Sequence, residues 1–105
     1  MQQRHVRVLT PWLTVQVDGY YGGVVNLSVT GALLALNVPL LVGRQVDVRL
    51  ESDSLNVVLK ATITRSEPSN DIPGWRVAVR FVDLSTELKK AIPKLLSSAP
   101  KKRSR

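Results

Sequence analysis

Residues 45–64, QVDVRLESDSLNVVLKATIT, contain two runs in which an apolar side chain recurs at every second position, separated by the polar break Ser52, Asp53 and Ser54. In the first run Val46, Val48 and Leu50 alternate with Gln45, Asp47 and Arg49. In the second, Leu55, Val57, Leu59, Ala61 and Ile63 alternate with Asn56, Lys60, Thr62 and Thr64, and only Val58 breaks the polar side. A side-chain period of two is that of a strand with one face buried. A short polar link between two such strands favours an antiparallel pair.

The same period extends in both directions from this pair. Leu13, Val15 and Val17 alternate with Thr14, Gln16 and Asp18, and Trp75, Val77, Val79 and Phe81 alternate with Arg76, Ala78, Arg80 and Val82. Two further apolar runs, Tyr21 to Leu27 and Gly31 to Leu36, lack clean alternation, which suits strands covered on both faces or lying near an end. The punctuation is turn chemistry: Asp18-Gly19, Gly22-Gly23, Asn37 to Pro39, Gly43, Ser52 to Ser54 and Pro68 to Gly74. Six strands with one polar face each leave exposed edges unless the sheet closes. A small antiparallel β-barrel is therefore expected, with an open sandwich as the alternative. After Phe81 the period changes: Leu84, Leu88, Ile92 and Leu95 recur at three or four residues behind Ser85 as N-cap, with Glu87 in the first turn. One C-terminal helix is expected, kinked or interrupted near Ile92 by Pro93, or restarted there with Pro93 as the first residue of a second turn.

Composition narrows the function. The 105 residues hold 15 basic and 8 acidic side chains, a net charge of +7, and no cysteine. A chain of this size supports one hydrophobic core. Without cysteine, disulfides and thiolate zinc sites are excluded. The longest uncharged stretch, Gly19 to Gly43, is interrupted by Asn26, Ser28, Thr30, Gly31, Asn37 and Pro39 and does not form a span of about 20 apolar residues. Met1 leads into polar and basic residues rather than an apolar signal core, so the expected compartment is the cytoplasm, with no membrane insertion. Lys101, Lys102, Arg103 and Arg105 inflate the charge. A Pro/Lys/Arg/Ser end of this kind is expected to be disordered. The expected organisation is a flexible basic lead-in over residues 1–10, a barrel with its helix over 11–97, and a basic tail over 98–105.

The residues argue against catalysis. The one histidine, His5, stands in the lead-in, there is no thiol, and the carboxylates are scattered through turns and outward strand positions. No GxxxxGK[ST] loop is present. Two short segments remain after every apolar, turn and tail residue has a structural role. One is Gln3-Arg4-His5-Val6-Arg7, which reads either as a solvated basic stretch or as an anion clamp. The other is Asn26-Leu27-Ser28-Val29-Thr30-Gly31, where Asn and Ser suit turns that cap their own backbone and Gly31 suits a positive φ. Taken together, the two segments suit an anion that carries a purine edge.

At these residues the sequence resembles the PilZ domain family, whose hallmark is RxxxR in a lead-in followed some twenty residues later by [DN]xSxxG between two barrel strands. Asn26, Ser28 and Gly31 match the second motif, and GALLAL, GRQVDVRLE and WRVAVRFVDLS follow in the order usual for the family. On the first motif Arg7 takes the place of the second arginine, Gln3 stands where the first would be, and Arg4 lies one position later. Ala78 occupies a place in the last strand where glycine is frequent in the family. The resemblance implies a six-stranded split-barrel fold and a receptor for the bacterial second messenger cyclic di-GMP. It implies that Arg7, with Arg4 or Gln3, grips phosphates and guanine edges, that Asn26 and Ser28 hydrogen-bond the guanine, and that Gly31 allows close approach. Ligand would order the lead-in for a protein effector, with no reaction and no cofactor. A PilZ-like interaction module without nucleotide binding is the alternative reading, favoured by Gln3. A small basic barrel for nucleic acid is a weaker one, because only five aromatics are present and none is interleaved with basic residues on a strand.

Overall fold

Among the described residues six strands and one helix follow in the order β1 (Thr14–Val17), β2 (Tyr20–Leu27), β3 (Gly31–Leu36), β4 (Gln45–Glu51), β5 (Asn56–Pro68), β6 (Trp75–Phe81) and α1 (Thr86–Ser97). The computed structural model describes residues 13–53, 56–70 and 74–97. The lead-in and the tail expected from the sequence, and with them Arg4 and Arg7, lie outside the described residues, as does Leu55.

All neighbouring strands are antiparallel, and the sheet closes in the order β1-β2-β3-β6-β5-β4. Two non-consecutive pairings complete the barrel: β3 with β6 from Gly31↔Arg80 to Leu36↔Trp75, and β1 with β4 from Thr14↔Glu51 to Val17↔Val48. Closure removes the free edges that an open sandwich would leave. The alternating apolar positions face inward. Val15, Val17, Val24, Leu34, Val48, Leu50, Leu59, Ile63 and Val77 are fully buried, and Ile92 of α1 joins the same core. Burying each such side chain contributes roughly 1.5–3 kcal/mol. Val58, the one apolar residue on a polar side, is exposed as its position in the period requires.

The β1–β2 connection is the two-residue loop Asp18-Gly19, with φ of 53° and 83°. This left-handed pair matches the twist of a tight hairpin. Gly22-Gly23, read from sequence as a turn, lies inside β2 instead. A side chain at Gly22 would collide with the Ala35 carbonyl, so the residue permits close strand approach rather than chain reversal. β3 alternates strictly between buried and half-buried positions, although every side chain after Gly31 is apolar. Its outer positions, Leu33 and Ala35, hide a regular strand from a polarity-based reading.

The helix begins as expected: the Leu88 amide donates to Ser85 Oγ at 3.1 Å and the Lys89 amide to the Ser85 carbonyl at 3.0 Å. An N-cap of this kind stabilises a helix by about 1 kcal/mol. The helix is neither interrupted nor restarted at Pro93 and runs through it to Ser97. Pro93 has no amide to donate one turn back, but Ile92 beside it is fully buried against the barrel and Leu84 and Leu88 pack on the same core. Tertiary packing holds the helix across the missing bond.

Candidate functional site

The site is built where the β2–β3 turn meets β6. Strict alternation along β2 would carry Asn26 to the inner face, because Val24 is buried. A bulge between Val24 and Asn26 inserts Val25 as an extra residue, so Val24 and Val25 are both buried and Asn26 emerges outward opposite Leu33. Bulges re-aim side chains in this way. Asn26 is exposed and makes no side-chain hydrogen bond among the described residues.

The turn that follows holds itself together. The Ser28 amide donates to the Gly31 carbonyl at 2.9 Å, the Thr30 amide donates to Ser28 Oγ at 3.2 Å, and the Ser28 and Thr30 hydroxyls lie 2.9 Å apart. Ser28 Oγ is also 3.4 Å from the Gly31 carbonyl. A serine hydroxyl has one proton and two lone pairs. With one lone pair taken by the Thr30 amide, Ser28 serves first as the brace of the turn. Thr30, absent from the motif reading, completes that brace, and its carbonyl accepts the Phe81 amide at 2.9 Å, tying the turn to β6.

Gly31 is required for a different reason from the one its turn position suggests. Positive φ among the glycines occurs at Gly19, Gly43 and Gly74, and Gly31 is not one of them. A Cβ at Gly31 would instead strike the Val79 carbonyl oxygen and approach the Arg80 Cα to 3.3 Å. Glycine here lets β3 lie close against β6.

These residues sit on one outer face. Across the strands, Asn26 pairs with Leu33, Leu33 with Ala78 and Ala78 with Arg65; beside that row Gly31 pairs with Arg80 and Arg80 with Thr62. β5 carries a second bulge between Ile63 and Arg65, whose extra residue Thr64 donates from Oγ1 to the Ala78 carbonyl at 3.3 Å. A shallow recess of about 470 Å³ opens here, lined by Thr30, Gly31, Thr64, Val79 and Arg80. A recess of similar size, about 460 Å³, is lined by Asp18, Gln45, Val46, Asp47 and Lys60. Its two carboxylates repel an anionic ligand, whereas the Gly31 recess holds an arginine and no acid. Among the described residues no cluster of His, Cys, Asp and Glu is placed to hold a metal ion. Among the described residues no helix is long and apolar enough to cross a membrane.

The structure thus brings Asn26, Ser28 and Gly31 to one corner of a closed six-stranded barrel with a C-terminal helix. The family model for the PilZ domain matches residues 2–98. The chain belongs to the PilZ domain family. Comparison with curated proteins returned no match. PilZ is a family of binding and receptor domains, generally for cyclic di-GMP, rather than a family of enzymes. On this face the described residues of the PilZ domain present the outward Asn26 amide, the apolar Leu33 and Ala78, and Arg80 beside the turn. Arg4 and Arg7 of the first motif lie outside the described residues.

Proposed function

We propose that this PilZ domain binds cyclic di-GMP on the outer face where the β2–β3 turn meets β6. Asn26 meets a guanine edge there, Ser28 fixes the turn, and Gly31 leaves room for approach. Arg7, with Arg4 beside it, closes over the phosphates from the lead-in. Binding orders that lead-in, and the ordered segment is what a protein partner reads, a disorder-to-order coupling of site to surface. The observation that carries this reading is the β2 bulge, which turns Asn26 to the outer face with its amide unengaged by other described residues. An asparagine used to brace the turn would hydrogen-bond its backbone, as Ser28 does here.

Titration calorimetry with cyclic di-GMP tests the reading. Binding tighter than about 10 μM is expected, and Asn26→Ala is expected to weaken it by about five- to tenfold, the value of one neutral hydrogen bond in a site. Absence of binding by the unaltered chain overturns the reading and favours the interaction module that Gln3 suggests.

A further inference from the structure

The barrel carries a cation that neither motif accounts for. Between residues 13 and 81 there are six basic and six acidic side chains, so the chain's excess of +7 resides entirely in its two ends. This stretch is therefore balanced in charge, and the attraction it exerts on an anion comes from individual groups. Most barrel arginines are already engaged: Arg44 pairs with Asp18, Arg49 lies 4.0 Å from Glu51, and Arg65 lies 3.5 Å from Glu67. Arg76 is half-buried. Lys60 stands in register opposite Asp47. Arg80 is exposed and, unlike Arg44, Arg49 and Arg65, has no carboxylate within ion-pair distance among the described residues. It stands in register opposite Gly31 and lines the recess with Thr30, Gly31 and Thr64.

We propose that Arg80 grips a phosphodiester of the bound cyclic dinucleotide and supplies the charge that Gln3 does not. This inference rests on the binding site proposed above. A cyclic dinucleotide carries two negative charges, and with Gln3 in the first motif only Arg7 stands in register, Arg4 lying one position out of step. A guanidinium with no internal partner binds a phosphate without first breaking an ion pair, and its planar fork suits the two free oxygens of a phosphodiester. The facing residue, Gly31, has no side chain to stand between that fork and the ligand held at the turn. The two bulges, at Val25 and Thr64, flank the β3–β6 pair on which Arg80 and Gly31 meet.

The test is calorimetric titration of the full chain with cyclic di-GMP for four proteins: the unaltered chain, Arg80→Gln, Arg49→Gln, and Arg80→Gln combined with Gln3→Arg. Arg80→Gln is expected to weaken binding about ten- to thirtyfold. Arg49→Gln removes the same net charge from an arginine on β4, away from the turn and beside a carboxylate, and is expected to stay within about twofold. Adding Gln3→Arg to Arg80→Gln is expected to recover most of the loss. Equal affinities for Arg80→Gln and Arg49→Gln overturn the role of Arg80 while leaving the site intact. No binding by the unaltered chain removes the site itself, and the role of Arg80 with it.

Discussion

Gly31→Ala is expected to lower the unfolding free energy by about 3 kcal/mol, the upper part of the range for overpacking a well-filled site. For a domain of this size that corresponds to a fall in melting temperature on the order of 10–20 °C. The added methyl meets the Val79 carbonyl and the Arg80 Cα, which are backbone atoms of the facing strand. No side-chain rotamer relieves the contact, so β3 must move away from β6. That movement strains the pairing from Gly31↔Arg80 onward and the bond from the Phe81 amide to the Thr30 carbonyl. Gly19→Ala is the control. Gly19 has φ +83° and open space around its Cβ position, so its cost is backbone strain alone, about 1–2 kcal/mol. Melting curves for the two variants decide the matter: a Gly31→Ala loss no larger than that of Gly19→Ala would show that the β3–β6 approach tolerates a side chain.

Arg7→Ala is expected to weaken cyclic di-GMP binding by about a hundredfold. Arg7 is the one position of the RxxxR motif that this chain keeps in register. Charge-assisted bonds to a phosphate are the strongest of the individual contacts available, about 1.5–3 kcal/mol, and a bidentate fork lies toward the upper end. With Gln3 uncharged, only Arg4, one residue out of step, is left to compensate, and side chains one residue apart in an extended segment point to opposite sides. A competition titration checks this, and an Arg7→Ala affinity equal to that of the unaltered chain would remove the lead-in from the site.

The fold was legible because inward positions of β1, β4, β5 and β6 are apolar and their neighbours polar, so the period of two marks each strand. Where both faces are apolar, as in β3, or where a bulge shifts the phase, as at Val25, the pattern dissolves although the strand persists. β5 shows the opposite limit. Its last residues, Thr64 to Pro68, are polar and mostly exposed, so no periodicity marks them. They extend the strand by pairing with β6 from Arg65↔Ala78 to Pro68↔Trp75, while the Leu40 amide donates to Ser66 Oγ at 3.1 Å. The same blindness hid Thr64 from the site, since a bulge leaves no compositional mark in a polar run. Asn26, Ser28 and Gly31 were legible as a motif, but the reason for Gly31 was not. Turn chemistry suggests a left-handed φ, whereas the constraint comes from a strand nearly fifty residues further along the chain. Pro93 failed as a helix breaker for a related reason: local propensity yields to the packing of Ile92.

The central claim is that an anionic purine ligand is held at the corner formed by Asn26, Ser28 and Gly31 with Arg80 beside it. Backbone amide chemical shifts recorded during a cyclic di-GMP titration test it most directly. The expected result is saturable perturbation at Asn26, Ser28, Thr30, Gly31, Thr64 and Arg80, with Asp18, Asp47 and Lys60 unmoved. Perturbation centred on Asp18, Asp47 and Lys60, or none at any residue with ligand in excess, would contradict it.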